Sequence, residues 1–417
     1  MNKVRQITLG VPADRRGYPL AVITLSIAFL LTTAWFTYVL SATPSEVLWG
    51  FLVANFIFLL GVSQFGVAFS AIMRICKANW SRSFYRTGEL TTLAFLPFAI
   101  IGFLYIYICG SPHLFYWLTE SHDVHLSPWL DQTFLLYRNL LAQLVFYFIA
   151  IVYFLMGLLP DISVEDSESG PAWRQGFYQW LLSLKKNKDE ATLKRNVYLY
   201  SPIVLVAAVI ANTFIAWDFG MMLVPHYHST VFPMYFILGN MFAGTAALLF
   251  LTVILSRNIP VDSYFHTVHV QSMGVLLTAF ALLWMYFFWA QFFVSWFGNL
   301  PSEYGVLSLQ MYGHYAPFFW VMMTCNFIIP IACLIFVKLK QTWWTMVSLA
   351  IIINIGIWLN RYLIVVPALA DDHYPLTSFS EITITVGLFA GFLFVLLIFF
   401  NVFPMVSMWE LRADENK

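Results

Sequence analysis

Ten long apolar runs constrain the fold of this chain more than any other feature of its sequence. Each run reaches the length of about 20 residues that a helix needs to cross a hydrocarbon core of about 30 Å. The runs therefore predict an all-α membrane protein with about ten transmembrane helices. We number them spans 1 to 10, at residues 20–42, 48–74, 89–110, 134–159, 197–220, 231–256, 268–297, 312–337, 343–367 and 379–403.

The overall composition agrees with this fold class. Hydrophobic residues make up 60% of the chain and charged residues 10%, whereas a soluble domain carries about 25% charged residues. The formal net charge is zero, so electrostatics give no support to nucleic acid as a partner, and the expected surroundings are membrane lipid.

The distribution of basic residues predicts the orientation. Of the 21 lysines and arginines, only Arg138 and Arg361 lie well inside spans, and the other 19 fall on the side that holds both termini. Because cytoplasmic segments carry the excess of basic residues, we expect both termini in the cytoplasm of a multi-pass protein of the bacterial inner membrane.

The loops and termini divide the chain into five parts. We expect a cytoplasmic N-terminal segment (1–19), a first membrane half (20–160, spans 1–4) and a cytoplasmic loop (161–196) with a short surface helix. A second membrane half (197–403, spans 5–10) and a cytoplasmic tail (404–417) follow. The first apolar run lacks a small-residue cleavage signal and is long enough to span, so it is interpreted as a retained helix.

Cysteine and histidine positions argue against a metal centre in this chain. The four cysteines form no C-x-x-C pair, and all nine histidines fall in loops or at span ends, whereas a haem-b anchor needs axial histidines at depth. The loop 111–133, with three histidines and three acids, is interpreted as a solvated surface that faces a partner. We expect no haem, iron–sulfur cluster or other metal, so any electrons must come from another subunit.

Polar residues at membrane depth are the candidate functional residues, because such residues are costly in lipid. Alternatives remain open for each. Asn55, Gln64 and Asn326 can hydrogen-bond a neighbouring helix, and Glu89 can complement a helix N-terminus. Arg138 and Arg361 can be structural partners of carboxylates such as Asp218 and Glu381. The full set also includes Tyr137, Asp218, Asn360 and Glu381.

Several strings resemble one family of membrane proteins. Gly61-Val-Ser-Gln-Phe-Gly-Val-Ala-Phe-Ser-Ala-Ile-Met-Arg74, followed by Trp80 and Glu89, resembles the second and third helices of NrfD-type (polysulfide reductase-like) membrane subunits. Other strings are similar to the alternative complex III branch of that family. They are Trp217-Asp-Phe-Gly-Met-Met-Leu-Val-Pro-His-Tyr-His-Ser-Thr-Val-Phe-Pro-Met-Tyr235, Gly313-His-Tyr-Ala-Pro317, Asn354-Ile-Gly-Ile-Trp-Leu-Asn-Arg-Tyr362 and Trp409-Glu-Leu-Arg412.

The resemblance implies an architecture and a set of partners. It implies two four-helix bundles, spans 2–5 and 6–9, flanked by spans 1 and 10, with a quinone pocket near the periplasmic face. It also implies a periplasmic iron–sulfur subunit, a multihaem cytochrome c subunit and a molybdopterin-oxidoreductase-like subunit. One position departs from the pattern: Gln64 stands where the complex III quinol-binding subunit has a histidine. The best fit is therefore the membrane subunit of a menaquinone reductase complex.

The resulting hypothesis is a quinone-reactive subunit that binds menaquinone non-covalently and takes protons from the cytoplasm. Glu89 and Gln64 are the candidate catalytic residues, and Asn55, Tyr137 and Arg138 the candidate quinone pocket. Asp218, Arg361 and Glu381 form either a proton pathway or structural ion pairs. The alternatives are a menaquinol-oxidising alternative complex III subunit, a proton or ion transporter, and a structural anchor without a quinone site.

The orientation leads to a first prediction. Reporter fusions at Ser121 and Asp371 should show a periplasmic location, and fusions at Lys186 and at the C-terminus a cytoplasmic one, because no loop on the first side carries a lysine or arginine. A C-terminal fusion that reports from outside the cytoplasm would overturn the orientation.

Overall fold

The computed structural model describes residues 18–42, 45–118, 129–163, 172–186, 189–224, 227–258, 267–299 and 301–415. All regular secondary structure in these ranges is helical, and ten helices are long and apolar enough to cross a membrane. In chain order, α1 to α10 are Tyr18–Ala42, Glu46–Ile75, Asn79–Leu114, Gln132–Asp161, Glu190–Met221, Phe232–Asn258, Thr267–Gly298, Ala316–Leu334, Trp343–Ala368 and Phe379–Val402. The prediction of an all-α protein with about ten spans is confirmed.

Two helix boundaries differ from the predicted ones. Helix α3 begins at Asn79, so Glu89 lies about ten residues inside it, whereas the sequence placed Glu89 at its start. Basic residues occupy this first part of α3, and hydropathy therefore misses it. Helix α8 is shorter than span 8, because a separate helix, Pro301–Tyr312, precedes it and ends just before Gly313.

Helix α2 lies at the centre of the molecule. It packs against α3, α5, α6, α9 and α10. In its most apolar stretch of 18 residues, 94% is buried inside the protein, compared with 6% in the corresponding stretch of α1. Polar side chains on α2 therefore face other helices rather than lipid, which makes α2 the helix most suited to carry an internal site.

The neighbours of the other helices follow a simple pattern. Helix α3 packs on α4 and α4 on α5, while α6 packs on α7 and α9, and α9 also packs on α8. Helix α1 lies along α10. These pairings are compatible with the predicted division into two four-helix bundles, which stays a prediction.

Glycines allow α2 and α3 to approach closely. A Cβ atom on Gly66 would lie 2.1 Å from the carbonyl oxygen of Gly88, so no larger residue fits without a shift of the backbone. Next to this contact, the Thr92 hydroxyl donates to the Ser63 carbonyl at 2.6 Å. The contact fixes Gly88, and with it Glu89, against the central helix.

The segment after α10 folds back across one end of the helices, which we call the C-terminal face. Residues 405–410 are buried there. The backbone N–H of Trp409 donates to Asp161 Oδ1 at 2.8 Å, and its indole N–H donates to the Gly157 carbonyl at 3.1 Å. The start of the predicted tail is thus a packed part of the first half. We call the other end of the helices the opposite face.

The loop between α4 and α5 contains the expected surface helix, Ala172–Lys185. The Tyr178 hydroxyl donates to the Val402 carbonyl at 2.9 Å, and Lys185 Nζ lies 2.8 Å from the Ile162 carbonyl just beyond the end of α4. The surface helix therefore ties the end of α4 to the end of α10 at the C-terminal face.

Candidate functional site

A cluster of buried charges surrounds Glu89 near the C-terminal face. Glu89 is fully buried, and its Oε1 accepts a hydrogen bond from Arg74 Nη1 at 2.6 Å. Its Oε2 lies 3.6 Å from Arg86 Nη1 on the same helix. Glu89 is thus held between two guanidinium groups, which is more than the helix-end role that was one alternative for it.

Two further carboxylates complete this charge cluster. Glu410 from the C-terminal segment binds Arg74 with both oxygens, at 2.9 Å and 3.1 Å. Asp161 at the end of α4 binds Arg86 Nη2 at 2.9 Å. Paired charges of this kind are tolerated at depth because each ion offsets the desolvation of its neighbours.

Glu410 is a site residue that sequence reasoning missed. Its only signal was its place in the Trp409-Glu-Leu-Arg412 string, which gave it no partner. Because 336 residues separate Arg74 from Glu410, no local spacing rule connects them.

Several polar atoms of the charge cluster make no hydrogen bond to the described part of the chain. Glu89 Oε2 and the Nε and Nη1 atoms of Arg86 are buried without a hydrogen bond among the described residues. Gly157 faces them: a Cβ atom there would lie 3.9 Å from both Glu89 Oε2 and Arg86 Nη1. Buried polar atoms in such a position usually bind water, so the charge cluster is suited to hold it.

A second ion pair, Arg138 with Asp218, lies toward the opposite face. Arg138 donates to Asp218 from Nε at 2.8 Å and from Nη2 at 2.5 Å. Asn139 Nδ2 and Trp129 Nε1 add bonds of 2.5 Å and 3.0 Å, so each carboxylate oxygen accepts two hydrogen bonds. A carboxylate with this many donors has little capacity left for a ligand. The geometry favours the structural alternative for this pair.

The suggested pairing of Arg361 with Glu381 is wrong. Glu381 accepts from the Ser378 hydroxyl at 2.9 Å and lies 3.0 Å from His373 Nε2. Arg361 is fully buried, and no carboxylate lies within ion-pair distance of it among the described residues. Arg361 lies in the last part of α9 and Glu381 in the first part of α10, so both are toward the opposite face. Their side chains contact different neighbours, and sequence position does not reveal this.

The three residues of the predicted quinone pocket do not come together. Asn55 Oδ1 accepts from Trp358 Nε1 at 2.9 Å on α9, and its Nδ2 donates to the Phe51 carbonyl. Tyr137 points away from the core, with 65% of its surface exposed, whereas Arg138 is engaged with Asp218. Asn55 therefore has the helix–helix role that was its alternative.

A chain of hydrogen-bonded side chains crosses the molecule between its two halves. We call it the amide chain, and its members in order are Gln143, Gln64, Asn212, Asn240, Arg361, Asn360 and Tyr235. These residues come from α4, α2, α5, α6 and α9. Gln64, one of the candidate catalytic residues, is thus a member of a network rather than an isolated amide.

The first part of the amide chain centres on Gln64. Gln64 Nε2 donates to Gln143 Oε1 at 2.5 Å, and Gln64 Oε1 accepts from Asn212 Nδ2 at 2.8 Å. Asn240 Nδ2 then donates to Asn212 Oδ1 at 2.9 Å. Gly61 makes room for this arrangement, because a Cβ atom there would lie 2.1 Å from Asn240 Oδ1.

The second part centres on Arg361. Its Nη2 donates at 2.8 Å both to Asn240 Oδ1 and to the Phe236 carbonyl, and its Nη1 donates to Asn360 Oδ1 at 3.1 Å. Asn360 Nδ2 donates in turn to the Tyr235 hydroxyl. These hydrogen bonds of the guanidinium go to neutral oxygens. Among the described residues no carboxylate offsets its positive charge, which therefore acts on the neighbouring amides.

An apolar cleft opens beside the amides where α2, α5 and α6 meet. Its volume is ≈ 200 Å³, and its lining consists of Gln64, Asn212 and Asn240 together with eight apolar residues and one glycine from the same helices. An amide nitrogen carries two hydrogens. Gln64 Nε2 and Asn240 Nδ2 each use one of them in the bonds above, which leaves each with one N–H for a ligand.

A smaller cavity of ≈ 40 Å³ adjoins the other end of the amide chain, where Tyr235 forms part of its wall together with Tyr227 and Gln291. This space suits a few water molecules rather than an aromatic ring. The apolar cleft is therefore the better candidate for an organic ligand.

Side chains that commonly bind metals are dispersed in the described structure. The described residues contain no group of three or more His, Cys, Asp or Glu side chains placed to hold a metal ion. Residues 119–128, which include two of the histidines of the 111–133 loop, lie outside the described part of the chain.

Most of the chain matches a known protein family. The family model described as "Polysulphide reductase, NrfD" matches residues 39–370, which is most of the chain. No curated protein matches the chain. Members of this family are multi-pass membrane subunits of quinone oxidoreductase complexes, and they generally assemble with iron–sulfur and molybdopterin oxidoreductase subunits.

The charge cluster leads to a prediction about stability. Glu410→Gln removes one buried carboxylate charge from Arg74, and we expect a loss of about 2 kcal/mol and a lower midpoint of thermal unfolding in detergent. Glu190→Gln is the matched control. Its pair with Lys194 is largely exposed, so the expected effect is less than about 0.5 kcal/mol. Equal midpoints for the two variants would show that Glu410 does not anchor the C-terminal segment.

Proposed function

Because the chain belongs to the NrfD family of polysulphide reductase-type membrane subunits, we propose that it supplies the quinone site of a respiratory oxidoreductase complex. The observation that carries this proposal is the apolar cleft with the amide chain at one side. Quinones are flat apolar rings with two carbonyl oxygens, and ligand sites of that kind combine apolar walls with a few placed donors.

The residues of the cleft fit such a ring. Gln64 Nε2 and Asn240 Nδ2 each have one N–H beyond the amide chain, and these can donate to carbonyl oxygens. The walls from Phe65, Ile72 and Met241 exclude water from the ring. When bound, the quinone supplies reversible two-electron, two-proton chemistry, and the protein supplies binding and orientation.

The amide chain also gives the cleft a positive bias. Arg361 donates to Asn240 Oδ1, and Asn240 is one of the three amides that border the cleft. A buried guanidinium acts more strongly through a low dielectric than through water. Negative charge that develops on a ligand oxygen near Asn240 is therefore favoured, which is the electrostatic requirement for adding electrons.

Protons are proposed to arrive from the charge cluster around Glu89. Four buried residues of α4 connect that cluster with Gln64 in this proposal: Gly157, Tyr153, Tyr147 and Gln143. The Tyr153 hydroxyl lies 2.9 Å from the Ser201 hydroxyl. The Tyr147 hydroxyl and Gln143 Nε2 are buried without a hydrogen-bond partner among the described residues, so water can join them.

In this scheme the carboxylates and the amides have different tasks. Glu89 can accept and release a proton, whereas Gln143 and Gln64 can only orient water or a ligand. The role of catalytic residue thus belongs to Gln64, which borders the cleft, and Glu89 serves as a proton relay. Tyr137, which faces outward, has no part in it.

The finer assignment is a menaquinone reductase (Qrc-type) complex. We propose that electrons come from a periplasmic multihaem cytochrome c through an iron–sulfur subunit, and that both termini of this chain are cytoplasmic. The orientation is supported by the basic residues Arg74, Lys77, Arg82 and Arg86, which lie at the C-terminal face. Partners would then dock on the opposite face, at the loops 111–133 and 221–230, of which 119–128 and 225–226 lie outside the described residues.

The quinone site is tested with Gln64→Leu, which keeps the volume of the side chain and removes its donors. We expect the KM of the complex for menaquinone analogues to rise roughly five- to tenfold, because the variant loses one hydrogen bond worth about 1 kcal/mol. The amount of quinone that co-purifies should fall as well.

Gln341→Leu serves as the control, since Gln341 bonds Gln271 at an exposed position away from the cleft. Its KM and quinone content should match those of the wild type. If Gln64→Leu also retains the wild-type KM and quinone content, the apolar cleft is not the quinone site.

A further inference from the structure

A separate cavity with a basic lining lies at the C-terminal face, and no role in the proposed function requires it. Its volume is ≈ 410 Å³, and it is lined by Arg74, Lys77, Asn79, Arg82, Tyr85 and Tyr198. Three of these side chains are cationic and none is acidic. The lining therefore has the composition of a site for an anion.

The cavity is built by a short turn rather than by a mobile surface. Helix α2 ends at Ile75 and α3 begins at Asn79, and Lys77 in the turn adopts a positive φ of 51°. The Lys77 N–H donates to the Arg74 carbonyl at 3.1 Å, which fixes this conformation. On the next turn, Arg82 donates from Nη2 to Asn79 Oδ1 at 2.7 Å and from Nη1 to the Glu410 carbonyl at 2.9 Å.

The inner and outer parts of the cavity differ in charge. Arg74 forms the inner wall, where Glu89 and Glu410 offset its charge. Lys77 lies at the mouth with an exposed side chain. An anion would therefore be held mainly at the mouth, beside Lys77.

The position of the cavity suggests which anion it takes. Aromatic residues beside it, Trp80 and Tyr198, are of the type enriched at membrane–water boundaries, and the ends of α2 and α3 lie at that level. Next to Tyr198, apolar side chains of α5 such as Leu199 and Ile203 are exposed along the helix. Phosphate groups of phospholipids lie at this depth, and basic pockets between helices bind them.

From this geometry we infer that the basic cavity binds a phosphate group, supplied by the headgroup of an anionic phospholipid. Lysine and arginine recognise phosphate through charge-assisted hydrogen bonds. The acyl chains of such a lipid have apolar surface beside them on α5. The inference stands apart from the quinone site, because none of the six lining residues borders the apolar cleft.

The test uses the purified, delipidated complex and three probes. Nanodisc-derived or micellar phosphatidylglycerol and phosphatidylcholine are titrated separately, with native mass spectrometry and thermal unfolding as readouts, and inorganic phosphate is titrated in a third arm. We expect saturable binding of phosphatidylglycerol, with little binding of phosphatidylcholine.

The informative variant is Lys77→Asn, since asparagine tolerates a positive φ and removes the charge. It should weaken phosphatidylglycerol binding about fivefold, which is the usual effect of one cation at a membrane surface. Lys77→Arg keeps the charge and should bind phosphatidylglycerol as the wild type does. Lys338→Asn is the matched control, because Lys338 is an exposed lysine in the turn between α8 and α9 on the same face.

The outcomes separate the possible sources. If inorganic phosphate competes with the lipid and Lys77→Asn weakens both, the phosphate group is the recognised chemistry, as inferred. If phosphate binds and phosphatidylglycerol does not, the lipid as source is overturned. Equal losses in Lys77→Asn and Lys338→Asn, or equal binding of phosphatidylcholine, would show a general surface effect and overturn the site.

Discussion

The first half of the molecule depends on the ion pairs of the buried Arg74 guanidinium. This guanidinium comes from the buried central helix, and it binds Glu89 on α3 and Glu410 from the C-terminal segment. A lone charge in this position would have a large desolvation cost. The C-terminal segment, which crosses the C-terminal face after α10, supplies the second of the two carboxylates that offset this cost.

The amide chain makes a corresponding connection between the two halves. Neutral amides satisfy one another at 2.5 to 2.9 Å and carry no charge that would have to be paired. Arg361 is the exception, since its guanidinium is charged and its hydrogen bonds to the described residues go to carbonyl and amide oxygens. The carboxylates of the charge cluster thus lie at the C-terminal face, and the positive charge of Arg361 lies close to an amide of the apolar cleft. In the proposed function this arrangement separates proton supply from ligand binding.

Sequence reasoning succeeded where a feature repeats along the chain or depends on the composition of one continuous segment. Apolar length gave the ten helices, and the surface helix before α5 was expected from the polar loop. The pairing of Arg138 with Asp218 was one of the alternatives, and it is found. Gln64 and Asn55 were suggested to bond neighbouring helices, and they do so.

It failed where the answer depends on which side of a helix faces the interior. In a membrane helix the residues are apolar all round, so periodicity does not show the buried face. Tyr137 and Arg138 are adjacent in sequence, yet one points outward and the other inward. Glu381 has a nearby histidine as partner rather than Arg361, and Glu410 lies beyond the last span, where hydropathy gives no hint of burial.

The most direct test of the account is Glu89→Gln in the complex reconstituted into liposomes. Quinone reduction and charge movement should fall together by at least about tenfold, because glutamine keeps the shape of the side chain but cannot relay a proton. Assembly should remain intact by size-exclusion chromatography, and Glu190→Gln should behave as the wild type. Wild-type quinone reduction and wild-type charge movement in an assembled Glu89→Gln complex would contradict the proposed proton route.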